Sequence, residues 1–310
     1  MAKRVAVNFA ENTSSALGMD VSKWQDGIDL KDVIRLNAVK FCICRTGDGK
    51  DPDNTFQRFY STVMEAGAIP GSYHYFRADR DGGAQARSMA AELRLVRFIP
   101  GQHLPPAVDF EDGANLNLPG GVYDGSGKVM PIRQVHEELL EFLHELELQL
   151  GVRPMLYTGQ TFHWWMSQAE PELAKEYANY PLWTPSYVTT LTDKSRPRMP
   201  ADSKGNPFPW KEPTIWQYTG SGKFGGYSRD LDINLFNGDY AALQRFCKMS
   251  VVGPGAPPVY QAPVVEVKPD PMNTPQAKAR ISEIGDSLKT AADSLARAYS
   301  SLKALSAEVK

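Results

Sequence analysis

The chain has 310 residues, 42% hydrophobic and 23% charged, which excludes disorder throughout and supplies enough apolar side chain for a sizeable core. A formal net charge of −2 offers no clustered basic surface, so nucleic acid is excluded as a partner class. Cys42, Cys44 and Cys247 form no CxxC pair and lie far from any histidine cluster, which points to buried free thiols, with neither a zinc site nor a disulfide framework.

The chain opens Met1-Ala-Lys-Arg, but the apolar run behind it is broken by Asn8, Glu11 and Asn12, so no export signal is expected. No stretch approaches the ~20 apolar residues that span a bilayer, and no membrane span is expected. Eight short apolar runs then recur, each ending in polar or aromatic residues: Leu17 to Val21, Val39 to Arg45, Ile69 to Phe76, Pro106 to Glu111, Arg153 to Thr158, Pro181 to Pro185, Thr214 to Thr219 and Asp230 to Phe236. Helix candidates alternate with them; Asp53 is placed to cap one that runs to Gly67, and another runs from Ile132 to Gly151. This order predicts an α/β fold with parallel strands joined by crossover helices and closed into a TIM-like (β/α) barrel, an open doubly wound sheet being the competing architecture. Ser186 to Pro213 is rich in Pro and polar residues and Gly220 to Tyr227 in Gly, so the barrel is expected to be irregular there.

The domain organisation read from the sequence is an N-terminal extension over 1–16, a barrel over 17–250, a Pro-rich linker over 251–275 and an amphipathic helix over 276–310. In the last segment Ile281, Ile284, Leu288, Ala291, Leu295, Ala298, Leu302, Leu305 and Val309 follow heptad spacing. A stripe of roughly four heptads cannot be buried by a lone helix, so it packs on copies of itself, on the barrel or on a partner.

Asp109 and Glu111 are two apart in a strand-like run, so their carboxyls emerge on one face. Glycoside hydrolysis needs such a pair: one holds a proton for the leaving oxygen while the other stabilises or traps the positive sugar carbon. An Asp-x-Glu triplet arises about once by chance in such a chain; its position at the end of an apolar strand, where barrel enzymes collect catalytic groups, lifts it above a solvated loop edge. Other strand ends carry Asp20, Tyr73, Tyr75, Tyr157, Trp183, Trp216, Gln217 and Asp232. Acids and amides take sugar hydroxyls while aromatic faces take the apolar side of sugar rings, although any single aromatic can be core packing. A metal site of Asp20, Asp109, Glu111 and Asp232 is the alternative reading of the acids. Gly220-Ser-Gly222-Lys-Phe-Gly225 matches a dinucleotide-binding pattern but is followed by a strand-like run where a helix is required, so it is read as a loop. Gly127-Lys128 lacks the spacing of a phosphate loop, and the five histidines show no zinc-peptidase spacing.

Gly18-Met-Asp-Val-Ser-Lys-Trp-Gln25, Gly71-Ser-Tyr-His-Tyr-Phe76, Ala107-Val-Asp-Phe-Glu111, Leu156-Tyr-Thr-Gly, His163-Trp-Trp165, Leu182-Trp-Thr-Pro-Ser-Tyr187, Trp216-Gln-Tyr-Thr219 and Asp230-Leu-Asp-Ile-Asn-Leu-Phe236 together resemble glycoside hydrolase family 25, the Chalaropsis-type lysozymes common as phage endolysins. The resemblance covers roughly residues 17 to 248. It implies hydrolysis of the β-1,4 bond between N-acetylmuramic acid and N-acetylglucosamine without a cofactor, with Glu111 as proton donor. Asp109 either attacks the anomeric carbon or orients the substrate's acetamido group, and Asp20, Asp232 and Tyr73 complete the family's motifs. The sequence departs from the family at Asp48, which stands where a Glu is frequent, and over 112–130, an enlarged loop past the catalytic pair. The resulting expectation is an endolysin, held in the host cytoplasm until release to the periplasm and cell wall, with peptidoglycan as substrate and self-association through the C-terminal helix. A non-catalytic glycan-binding or virion structural protein is the alternative.

Overall fold

The computed structural model describes residues 15–111, 122–123, 129–159, 171–188 and 209–252. The chain divides into two compact units, 1–261 and 262–310, and all described residues belong to the first. The heptad helix, nearly all of the linker and most of the N-terminal extension lie outside the described residues.

Strands β1 (Leu17–Val21), β2 (Phe41–Asp48), β4 (Ile69–Tyr75), β5 (Ala107–Asp109), β8 (Met155–Tyr157), β9 (Leu182–Pro185), β10 (Ile215–Gly222) and β11 (Leu231–Phe236) form one closed sheet, because β1 pairs with both β2 and β11. Short β3 (Asp51–Pro52) extends β2, while β6 (Val122–Tyr123) and β7 (Val129–Met130) pair antiparallel within the segment expected to be an enlarged loop. The barrel is therefore as expected, with one correction. Strand β11 runs antiparallel to both neighbours, since only Lys223 to Asp230 separates it from β10 and so short a connection permits only an antiparallel return. The glycine motif read as a loop is also partly strand: β10 continues through Gly222, with register shifts around Thr219.

Helices α1 (Leu30–Leu36), α2 (Phe56–Glu65), α3 (Gly82–Leu95), α4 (Ile132–Leu150), α5 (Pro171–Tyr177) and α6 (Tyr240–Met249) accompany the strands. Asp29, Asp81 and Asp239 cap α1, α3 and α6 by accepting backbone N–H bonds. Asp53 does not cap α2, as its position suggested; Thr55 holds that place and Asp53 receives Thr55's N–H and hydroxyl at 3.0 and 2.7 Å. Helix α4 ends as read from the sequence, at Gly151, whose φ of 66° is the left-handed cap glycine adopts without a Cβ clash.

Period-two alternation divides the apolar side chains into two cores. Met19, Val21, Cys42, Cys44, Val108, Leu156, Trp216 and Ile233 face the helices, whereas Phe41, Ile43, Ile69, Ala107, Met155, Ile215 and Phe236 fill the barrel. Leu243 and Cys247 of α6 join the inner core, and the three cysteines are buried and free. The inner core is apolar toward one end; polar residues replace it toward the C-terminal ends of the parallel strands. Among the described residues no helix is long and apolar enough to cross a membrane.

Candidate active site

Asp20 on β1, Tyr73 on β4, Asp109 on β5, Tyr157 on β8, Trp183 on β9, Gln217 on β10 and Asp232 on β11 line one open cleft of about 150 Å³. Glu111, two residues past Asp109, and Tyr187, just past β9, complete its wall. Seven strands thus deliver side chains to one mouth, the place where a barrel's loops and strand ends converge. Eight of the eleven residues singled out from the sequence meet here.

Tyr75 and Asp48 do not line it. They are register partners on β4 and β2, and Arg77 claims both: its guanidinium binds the Asp48 carboxylate through two bonds of 2.6 and 2.9 Å and lies 4.6 Å from the Tyr75 ring. The Asp48 carboxylate is committed to an ion pair and not to the cleft. Trp216 faces the outer core, its indole N–H donating to the Ser186 carbonyl. Trp183 is fully buried and serves as floor, its ring centroid 4.4 Å from Tyr157 and 5.9 Å from Tyr73.

The polar groups form a connected set. Asp20 accepts from the amides of Gln217 and Asn234 at 2.9 and 2.7 Å. The Gln217 oxygen accepts from the hydroxyls of Tyr157 and Tyr187 at 2.9 and 3.0 Å, and the Asn234 oxygen from the Trp183 indole at 2.8 Å. The nitrogen and the oxygen of each amide both face a complementary partner, which fixes the Asp20 carboxylate in one orientation. Asn234 and Tyr187 escaped the sequence reading. Asn234 was within reach of it, since it follows Asp232 by two and therefore shares its face.

The carboxyls cannot all ionise together. Asp20 and Asp232 are direct cross-strand partners, an arrangement in which like charges repel. Burial first, then the charges of Asp20, Glu111 and Asp230, push the Asp232 carboxyl up to about 8. Burial raises Asp20 to about 6, against the lowering effect of its bonds from Asn234 and Gln217. Asp109 is held well above the usual carboxylate range by burial, then by Glu111 and Asp20, and its Oδ1 is buried without a hydrogen-bond partner. Burial and mutual repulsion thus favour the protonated forms of these acids. Among the described residues no group of three or more His, Cys, Asp or Glu has the arrangement of a metal site, so the metal reading of the four acids gains no support.

Arg45 was also missed, although it shares the inward face of Phe41 and Ile43 on β2. It is buried, its Nε donates to Asp53 at 2.9 Å, and its charge pulls Asp109 downward against the other causes. Asp53 in turn accepts the Lys23 N–H at 2.9 Å, which ties the segment after β1 to β2. Replacing Arg45 by Met leaves the fully buried Asp53 charge without its counter-ion, so Arg45→Met should cost about 3 kcal/mol in denaturant unfolding. A loss below about 1 kcal/mol would show that the Thr55 and Lys23 donors suffice alone.

Mutually repelling carboxyls and an aromatic floor at the mouth of a barrel suit a glycoside hydrolase. Residues 19–227 match the family model "Glycosyl hydrolases family 25". The Escherichia coli (strain K12) protein named "Uncharacterized protein YegX" is 27% identical over 234 residues, covering 74% of this chain and 72% of its own length. "Lysozyme M1" of Streptomyces globisporus is 28% identical over 239 residues, covering 75% and 71%. The crystal structure of the bacterial lysozyme from Streptomyces coelicolor superposes with a TM-score of 0.59 at 26% identity, covering 77% of this chain and 99% of that one. The chain belongs to glycosyl hydrolase family 25 and is a glycoside hydrolase.

Proposed function

We propose that this enzyme is an endolysin-type muramidase that cuts the β-1,4 bond between N-acetylmuramic acid and N-acetylglucosamine in peptidoglycan. The observation that carries the chemistry is the meeting of Asp20, Asp109, Glu111 and Asp232 in one cleft. Glu111, partly exposed at the wall, hands its proton to the glycosidic oxygen as the bond breaks. Asp109 is buried beside it; with the pair's proton on Glu111, Asp109 is the ionised partner, and its carboxylate either attacks the anomeric carbon or orients the substrate's acetamido group as the positive charge develops. Asp20, held by Gln217 and Asn234, and its partner Asp232 take substrate hydroxyl or amide groups. The substrate assignment is supported by the names of similar proteins, a lysozyme and a muramidase from Acremonium alcalophilum among them. Mass analysis of fragments released from purified peptidoglycan tests it: reducing-end N-acetylmuramic acid is the expected product, and reducing-end N-acetylglucosamine or free peptides would refute it.

The lytic role rests on the sequence: a Pro-rich linker and a heptad stripe appended to a catalytic barrel suit an enzyme that assembles or is targeted before acting on the wall. In this reading the protein waits in the host cytoplasm until release. Self-association through residues 276–310 predicts a higher sedimentation mass for the full chain than for one ending at residue 275; equal monomer masses would remove that part of the proposal.

A further inference from the structure

Beside the cleft, the structure carries a braced aromatic and basic surface that the catalytic reading does not use. Asp20 and Asp232 face each other across β1 and β11, and the chain on either side of this pair continues to the same place on the rim. Four residues past Asp20 stands Trp24, 65% exposed on a short 3-10 turn. Three residues before Asp232 stands Arg229, which donates to the Trp24 carbonyl at 2.6 Å. Four residues of chain reach at most about 14 Å, so the Trp24 backbone lies within that distance of the Asp20 backbone.

Both supports are rigid. The 3-10 turn is closed by reciprocal bonds between Ser22 and Gln25, and its Lys23 N–H is anchored on buried Asp53. The opposing loop is held by Lys223, which binds Asp230 and the Ser228 carbonyl, and by paired bonds between Asn37 and Gly225. Lys23 places its ammonium 5.5 Å from the Trp24 ring, and the Arg229 guanidinium lies 6.0 Å from the Tyr227 ring. An exposed indole with one cation beside its ring and a second bonded to its main-chain carbonyl offers a face to the apolar side of a sugar ring and two nearby charges to a carboxylate.

We infer that Trp24, with Lys23 and Arg229, forms a distal subsite for an acidic sugar unit of the glycan strand, an N-acetylmuramoyl residue whose lactyl carboxylate meets the cations. The inference rests on the peptidoglycan reading above. The surface is built from the chain just past Asp20 and just before Asp232, at the same end of the β1 and β11 pair, and the charges of Lys23 and Arg229 complement an anionic polymer while the cleft itself is acidic. A substrate long enough to reach Trp24 gains binding there, and a shorter one does not.

The test compares Trp24→Ala, Trp24→Phe and Arg229→Gln with the native enzyme on peptide-free tetrasaccharide and octasaccharide of alternating N-acetylglucosamine and N-acetylmuramic acid. Trp24→Ala should raise KM for the octasaccharide about tenfold, with kcat and the tetrasaccharide KM changed less than twofold; Trp24→Phe should recover most of the loss. Arg229→Gln should raise the octasaccharide KM about threefold at low salt, and the difference should vanish at high salt. Equal effects on both lengths, or none on either, would overturn the subsite while leaving the muramidase reading intact. A native enzyme that cuts neither substrate would sink both.

Discussion

Glu111→Gln should lower kcat on peptidoglycan by about a thousandfold or more while leaving the melting temperature within about 2 °C of the native value. The two outcomes separate because Gln keeps the shape of the side chain and loses only its proton. Glu111 sits past the end of β5 at the partly exposed wall of the cleft, so the closed sheet does not depend on its charge. An ionised Glu111 raises the Asp109 carboxyl, second only to burial, so the neutral Gln of the variant should let Asp109 ionise as readily as a protonated Glu111 does. Turbidity loss of permeabilised cells, paired with reducing-end release from purified walls, reads the activity. Retained turnover by a folded Glu111→Gln protein would remove Glu111 from the role of proton donor. A native protein that binds walls without releasing fragments would favour a non-catalytic glycan-binding role.

The second large effect joins activity to stability at Asp232. Burial and the neighbouring acids raise its carboxyl from the ordinary 3.8 to about 8, and Asp20 from 3.8 to about 6. A carboxyl whose folded pKa lies above its unfolded value binds protons more tightly in the folded state. Its stabilising contribution is complete below about pH 4 and is lost as the pH rises through about 6 for Asp20 and about 8 for Asp232. Asp232→Asn removes the repulsion across the β1 and β11 pair, so it should stabilise the fold by about 2 kcal/mol at pH 8 and by almost nothing at pH 4. Activity should fall about a hundredfold at the same time. Denaturant unfolding of both proteins at the two pH values decides the matter; an equal gain at both would mean that packing, not charge, is responsible. The opposite limb belongs to His74, buried between the Thr46 hydroxyl and the Gly49 carbonyl and lowered to about 4, mainly by burial. Because its folded pKa lies below the unfolded 6.5, its contribution is lost as the pH falls from about 6.5 toward about 4.

Much of this arrangement was legible before any coordinates. Strand positions follow from short continuous apolar runs, because in a closed barrel the inward residues are as restricted as the outward ones packed under helices. Asp20, Asp109 and Asp232 stood out for a related reason: an acid within an apolar run is too costly to bury without a task. A parity argument reaches Arg45 and Asn234. Both sit two residues from a recognised inward position, and neither had been taken up because Arg and Asn on a strand end also suit an exposed edge. Asp48 and Tyr75 went the other way. Their side chains are claimed by Arg77, and an ion pair between separate elements leaves no periodic trace in the chain.

By itself, then, the amino-acid sequence determined the alternating strands, the family motifs and the inward acids, since each depends on local spacing and on the cost of burying charge. Only the tertiary structure decided the direction of β11, the face-to-face pairing of Asp20 with Asp232, the exclusion of Asp48 from the cleft and the joining of Trp24 to Arg229. These depend on how the sheet closes and which distant side chains it brings within bonding reach, and residues such as Trp24 and Arg229, 205 positions apart, carry no mark of one another.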